Sequence, residues 1–189
     1  LVQKIDLSNT DIATGDRFGA SITMSDKGET LIIGAPYSDQ NNTNNGALYY
    51  FRKTTDESTT DVYEFVQTIL SPTTEVGERF GSQVSLNNAG TSFAVTAEGG
   101  SNYLETTFDD SGVLEFPTTF DANTTKIQDY QQGSGTVYTY TKLGTKFVFG
   151  QKLTSSDVRE KDGFGTGLNF AVNSVLVGAP GAITTDENI

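Results

Sequence analysis

The residues best suited to chemistry in this sequence are carboxylates that crowd one stretch. Asp109, Asp110, Glu115 and Asp121 all fall between positions 97 and 134. Two such carboxylates can serve a glycosidase as general acid and base. Histidine and cysteine, the commonest general base and the thiol nucleophile, are absent from the sequence. We therefore expect these acids to be solvated loop residues, and we assign no catalytic, cofactor-binding or metal-binding residue.

Composition excludes several classes of partner. The formal net charge is −12, from 24 acidic and 12 basic residues. A chain this acidic lacks the basic face that nucleic acids and anionic lipid surfaces require. Without cysteine it can form neither a disulfide nor a thiolate zinc site. No apolar run approaches the roughly 18 residues of a membrane-spanning helix, so we expect neither nucleic acid nor membrane as a partner.

One sequence pattern occurs three times, and it predicts the strands that would position the carboxylates at 97–134. Each copy has an acid, a Phe-Gly pair, an alternating strand, a short polar turn and a compact apolar strand. The acids are Asp16, Glu78 and Asp162, and the pairs begin at Phe18, Phe80 and Phe164. Copies one and three end in Gly-Ala-Pro, whereas copy two has Thr96-Ala97-Glu98 at that place. We interpret these repeated residues as packing positions.

The segments that flank the pattern repeat as well. Residues 46–53, "GALYYFRK", match 135–142, "GTVYTYTK", and residues 63–72, "YEFVQTILSP", match 146–155, "KFVFGQKLTS". Four strand patterns per unit predict an all-β fold of β-propeller blades, each with four antiparallel strands. In the first inner strand we expect Ala20, Ile22 and Met24 to face one neighbouring blade and Ser21 and Thr23 to face the other side.

The pattern resembles FG-GAP repeats, the blade units of the integrin α-chain propeller and of many microbial and viral surface proteins. The resemblance implies one partial propeller over residues 1–189. Its parts are an outer strand of a preceding blade in 1–10, a blade at 15–72, a blade at 77–155 with an insertion at 97–134, and the start of a further blade at 161–189. Propellers close with about four to eight blades, so we expect the remaining blades to come from the same, longer chain.

Family blades often bind calcium in the first hairpin through a D-x-D-x-D-G-x-x-D loop. Here that turn is "SDKGET" at 25–30, which keeps Asp26 and Glu29 but has Lys27 and Thr30 at two other positions. Copies two and three have "NNAGTS" at 87–92 and "AVNSV" at 171–175. Calcium needs about six to eight oxygen ligands, and none of these turns can supply them. We expect no calcium, and no other cofactor.

A second candidate ion site is the loop "YSDQNNTNNG" at 37–46. Its Asn residues and Asp39 offer many oxygens but one negative charge. Asn and Gly favour turns strongly, so we expect a floppy, solvated loop. Cation binding by this loop remains open from the sequence.

The insertion at 97–134 is the most individual feature of the chain. It contains the echoing segments "TTFDDSG" at 106–112 and "TTFDANT" at 118–124, with the alternating "VLEF" between them. A long loop in a compact domain is usually functional or carries its own structure, so we expect a protruding hairpin or small sub-sheet. The segment resembles Phe-Asp-rich insertions between FG-GAP blade strands in large virion proteins of marine tailed phages.

These observations favour a non-enzymatic structural or adhesion module of a phage virion appendage, such as a tail or fibre protein. Expected partners are other virion or surface proteins and a host-surface glycan, and the expected location is extracellular, on the virion surface. One alternative is a cellular or secreted integrin-like adhesion protein, which a parent chain with a transmembrane helix and cytoplasmic tail would indicate. The other is a polysaccharide-degrading enzyme, which would release reducing sugar in a manner sensitive to Glu115→Gln.

Overall fold

The described part of the chain is built from antiparallel β-strands. A computed structural model describes residues 5, 7–55, 61–99, 107–108, 114–115, 134–155, 162–172 and 174–182. No helix occurs within these ranges, and so none there could cross a membrane. The predicted all-β fold of four-stranded antiparallel blades is confirmed.

The first sheet has the order β1-β2-β3-β4, and all of its pairs are antiparallel. Its strands are β1 (Ser21–Met24), β2 (Thr30–Ala35), β3 (Ala47–Thr55) and β4 (Asp61–Leu70). Strand β2 is buried along its whole length, as its unbroken apolar run requires of a strand covered on both faces.

The second sheet repeats this arrangement with the order β5-β6-β9-β10. Its strands are β5 (Phe80–Leu86), β6 (Ser92–Ala97), β9 (Thr136–Leu143) and β10 (Lys146–Leu153). Between β6 and β9, the short strands β7 (Thr107–Phe108) and β8 (Leu114–Glu115) pair with each other. A last hairpin consists of β11 (Gly167–Ala171) and β12 (Ser174–Gly178).

The main core lies between the two four-stranded sheets. The first sheet contributes residues such as Ile32, Leu48 and Tyr50, and the second contributes Phe93 and Tyr138, among others. A second buried cluster covers the other face of the first sheet and includes Leu31, Ile33 and Tyr49. The first sheet therefore buries apolar side chains on both faces, which explains the nearly continuous apolar run of its strand β2.

The inner strand β1 shows both the success and the limit of the predicted facing. Ser21 and Thr23 face the second sheet, where both form hydrogen bonds. Ile22 and Met24 point to the other side, as expected, but they are 61% and 51% exposed. Within the described residues no sheet covers them, so the expected contact with a neighbouring blade is not seen there.

Two parts of the predicted organisation stay predictions. Of the expected outer strand in 1–10, the structure describes residue 5 and residues 7–10, and the latter form a turn in which the Thr10 N–H donates to the Leu7 carbonyl at 3.0 Å. Most of the insertion at 97–134 lies outside the described residues.

Truncation of Phe80 tests the position of this core. Its ring is fully buried and lies 5.8 Å from the Tyr138 ring and 6.1 Å from the Tyr140 ring, measured between centroids. We expect Phe80→Ala to lower the free energy of unfolding by about 3–5 kcal/mol, measured by urea denaturation. The control is Phe149→Ala, because that ring is 48% exposed and should cost much less. Equal losses in the two variants would contradict this account of the core.

Candidate functional site

The repeated Phe-Gly motif forms a backbone corner at the start of each inner strand. The residue before each Phe has a positive φ: 55° at Arg17, 57° at Arg79 and 64° at Gly163. The Gly that follows each Phe also has a positive φ, between 93° and 95°. A non-glycine residue in this region carries a conformational cost. The two arginines therefore hold a strained backbone that the surrounding contacts must stabilise.

The corners at Phe80 and Phe164 each contact the sheet before them through the same backbone hydrogen bond. The Phe80 N–H donates to the Asn45 carbonyl at 2.9 Å, and the Phe164 N–H donates to the Ser134 carbonyl at 2.8 Å. The backbones are so close that a Cβ on Gly46 would lie 2.1 Å from the Phe80 oxygen. The equivalent distance from Gly135 to the Phe164 oxygen would be 1.9 Å. Only glycine fits at these two positions.

Hydroxyl groups complete both junctions in the same way. The Phe-Gly carbonyl of Gly81 accepts a hydrogen bond from Ser21 Oγ, and that of Gly165 accepts one from Thr96 Oγ1, both at 2.7 Å. The interpretation of residues 96–98 as simply divergent from Gly-Ala-Pro is therefore incomplete. At the first junction Gly34 occupies the position equivalent to Thr96. A Cβ added there would lie 2.2 Å from the Gly81 oxygen, so no side chain fits. Ser21 supplies the hydroxyl instead.

A second hydroxyl bond also recurs one sheet further along. The Leu86 N–H donates to Thr23 Oγ1 at 3.2 Å, and the Phe170 N–H donates to Ser85 Oγ at 2.9 Å. Thr23 and Ser85 occupy equivalent positions in successive inner strands. The junction between the first and second sheets is therefore reproduced between the second sheet and the last hairpin.

Glu78 is the most densely bonded side chain at the first junction. It is fully buried, and its Oε2 accepts hydrogen bonds from Ser71 Oγ at 2.5 Å, Thr73 Oγ1 at 2.6 Å and Asn45 Nδ2 at 2.9 Å. Its Oε1 accepts one from the Tyr138 hydroxyl at 2.5 Å. A buried carboxylate is tolerated only when donors satisfy its oxygens, and four donors do so here.

The acids that precede the other two Phe-Gly pairs are buried as well. Asp16 and Asp162 are 6% and 3% exposed. Asp16 Oδ2 accepts the Ala13 N–H at 3.0 Å. The repeated acid thus has a structural role inside the corner. At Tyr138, burial and then the adjacent Glu78 raise the pKa above its usual value.

The Asn-rich loop at 37–46 is not a floppy, solvated loop, so that prediction is wrong. Asn45 is fully buried. Side-chain amides of this loop donate to carbonyls in the segment that enters the second sheet: Asn41 to Thr73 at 2.7 Å, Asn42 to Thr74 at 2.7 Å and Asn45 to Glu75 at 2.8 Å. Each side-chain amide offers two N–H donors. The loop therefore satisfies carbonyls of residues 73–75, a segment that belongs to no strand.

Tyr37, in the same loop, has two arginine side chains close to its ring. The guanidinium of Arg17 is 4.0 Å from the ring centroid and that of Arg79 is 5.4 Å away. Both arginines are the strained residues of their corners. Sequence reasoning missed this contact, although an Arg before Phe in copies one and two was visible.

The residues considered for catalysis or metal binding are not brought together here. Asp109, Asp110 and Asp121 lie outside the described residues, and Glu115 is placed only as part of β8. Over the described ranges no group of three or more metal-ligating side chains converges. The turn at Asp26 instead meets the second sheet, because the Asp26 N–H donates to the Asn88 carbonyl at 3.1 Å. The absence of calcium stays a prediction.

An Asn45→Asp variant tests whether the loop is part of the junction. The new carboxylate would lie beside the buried Glu78 and could donate to neither Glu78 nor the Glu75 carbonyl. We expect a loss of about 3 kcal/mol or more in the free energy of unfolding. The matched control is Asn42→Asp, which removes one exposed amide bond and should cost about 1 kcal/mol. Equal, small effects would restore the interpretation as a solvated loop.

A Tyr138→Phe variant tests the Glu78 network through its pH dependence. At neutral pH the lost donor should lower the free energy of unfolding by about 1–3 kcal/mol. The pKa of Tyr138 is raised in the folded state, so its contribution is complete below the unfolded pKa of about 10 and is lost as the pH rises above it. Denaturation at several pH values should therefore show a shallower alkaline decline in the variant. Parallel curves would contradict the network.

Comparison with known proteins identifies the first repeat. Residues 2–51 match the family model described as FG-GAP repeat. The match includes the corner at Phe18, the Gly-Ala-Pro at 34–36 and most of β3. No curated protein matches the chain. The first repeat is thus similar to an FG-GAP repeat, and it lies in an all-β fold of four-stranded antiparallel blades.

Proposed function

We propose that this chain is a non-enzymatic structural and adhesion module in which stacked blades hold loops on a rigid support. The FG-GAP match over residues 2–51 supports an adhesion-type propeller module. The observation that carries the proposal is the repetition of the junction. The same three hydrogen bonds connect the first sheet to the second and the second sheet to the last hairpin. The Phe N–H donates to a carbonyl, a hydroxyl donates to the Phe-Gly carbonyl, and an inner-strand N–H donates to a hydroxyl.

This junction suits a scaffold because it fixes neighbouring sheets without a flexible linker. The carboxylate of Glu78 joins residues on both sides of the junction, and the Asn-rich loop binds the connecting segment. Polar networks that are fully satisfied rigidify the elements they join. Binding surfaces commonly lie on loops that a rigid scaffold positions.

The insertion between β6 and β9 is the segment we propose as the contact surface. It leaves the sheet at Ala97 and returns at Thr136, two residues that pair directly in the β6–β9 ladder. Strands β7 and β8 pair with each other and with no other described strand. The sheet therefore closes without help from the insertion, which leaves that segment free to evolve for binding.

We further propose that the module belongs to a virion appendage and acts outside the cell, with other virion or surface proteins and a host-surface glycan as partners. The Phe-Asp-rich insertion, which resembles those of large phage virion proteins, supports this context. The acidic, cysteine-free composition is compatible with it. The remaining blades would come from the same longer chain.

Deletion of residues 102–129, with a short Gly-Ser linker, tests this proposal. Because Ala97 and Thr136 are paired and loop closure depends weakly on length, the blades should keep their unfolding midpoint. Binding of the fluorescently labelled protein to intact marine bacterial cells, measured by flow cytometry, should be lost.

The control for that experiment is Thr43→Ala, a change in an exposed side chain of a loop outside the insertion, which should bind as the parent does. A parent protein that binds no cells, or a deletion that binds them equally well, would overturn the proposed role of the insertion. Release of reducing sugar from the cell-surface glycans would place the chain among enzymes.

A further inference from the structure

We propose that the groove between the first and second sheets, at the end opposite the Phe-Gly corners, binds an acidic saccharide through its carboxylate or sulfate groups. This inference rests on the proposed adhesion function and names the ligand class. The groove has a volume of about 520 Å³, within the range of small-ligand sites. It is formed by the end of β3, the start of β2, the β5–β6 turn and Lys142 of β9.

The groove concentrates positive charge in an acidic protein. It is lined by Arg52, Lys53 and Lys142, three of the 12 basic residues in a chain of net charge −12. Among the lining residues that the structure describes, Glu29 is the one acid. Lys53 is occupied, because its ammonium forms an ion pair with Asp61 at 2.5 Å. Over the described residues neither Arg52 nor Lys142 forms an ion pair, so both are available to an anion.

Lys142 is held in place before any ligand arrives. Its ammonium lies 5.2 Å from the Tyr50 ring centroid and 5.8 Å from that of Phe147. Its backbone N–H donates to the carbonyl of Thr91, its neighbour in the second sheet, at 2.8 Å, which continues the β6–β9 pairing and fixes the backbone that carries this side chain. A cation that is already ordered loses little conformational entropy on binding. The ring faces thus prepare this side chain for a charge-assisted contact.

Threonines complete the groove and favour a saccharide over a purely ionic ligand. Thr30, Thr54, Thr55 and Thr91 all contribute to its wall. Of these, Thr55 and Thr91 are exposed, so their hydroxyls are accessible to a ligand. Sugar hydroxyls can donate to and accept from such groups while the anionic substituent contacts Arg52 and Lys142.

Titration with four polymers tests this proposal on the full chain. The probes are dextran sulfate, polygalacturonate, neutral dextran and poly-glutamate, and binding is measured by calorimetry at low and at high salt. We expect dextran sulfate, polygalacturonate or both to bind, more weakly at high salt, and neutral dextran not to bind. Poly-glutamate as the preferred ligand would overturn the proposal in favour of an acidic peptide.

Two matched variants locate the site. Lys142→Met removes the ammonium but keeps an apolar stem over the two rings, and it should raise the dissociation constant about tenfold. Lys152→Met removes the same charge from an exposed position on β10 outside the groove and should change it less than about twofold. Arg52→Ala, at an exposed side chain, gives a second groove variant without a folding risk. Equal losses at positions 142 and 152 would overturn the assignment to the groove.

The outcome is separable from that of the adhesion proposal. If labelled protein binds cells but none of the anionic polymers, the groove proposal fails while the adhesion module stands. If the polymers bind at the groove but cells are not bound, the ligand assignment stands and the cell-surface role fails.

Discussion

The burial of the Glu78 carboxylate is the constraint on which the junction between the sheets depends. A carboxylate removed from water must recover its lost hydration from nearby donors, or it destabilises the fold. Its donors come from Asn45 in the loop before β3, from Ser71 and Thr73 just after β4, and from Tyr138 in β9. The first and second sheets must therefore hold one relative position for all four bonds to form together.

The same constraint sets the backbone beside it. With Glu78 turned inward, the chain must reverse into β5 within a few residues, and Arg79 takes a left-handed conformation to do so. The reversal places the Phe80 backbone against Gly46. Because the corners at Phe80 and Phe164 repeat the same contacts with the sheet before them, the arrangement can be extended sheet by sheet, as in other repeat architectures in which each unit contacts its neighbours.

The repeats predicted most of this fold because backbone geometry and apolar periodicity leave direct marks on the sequence. The corner glycines, the acids at 16, 78 and 162 and the apolar run of β2 all lie where the pattern placed them. The polar contacts at the junction were harder to predict from the sequence. The sequence predicted Asn41 and Asn45 to be turn-forming residues, because it does not distinguish a solvated side-chain amide from one that donates to a carbonyl distant in the chain. Thr96 read as a lost glycine, although its hydroxyl replaces that of Ser21. The same hydrogen bond is thus made from different strand positions at the two junctions, so a comparison of equivalent positions in the sequence does not reveal it.

The faces of successive inner strands show how far each sheet relies on the one before it. Ile22 and Met24 in β1 correspond to Val84 and Leu86 in β5. Val84 and Leu86 belong to the core because the first sheet covers them, whereas Ile22 and Met24 are 61% and 51% exposed. The side chains are equally apolar, so the difference comes from the neighbour and not from the sequence. Burying Ile22 and Met24 as their counterparts are buried would stabilise the first sheet by about 25 cal/mol for each Å² covered. The first sheet thus gives Val84 and Leu86 an apolar cover that Ile22 and Met24 lack within the described residues.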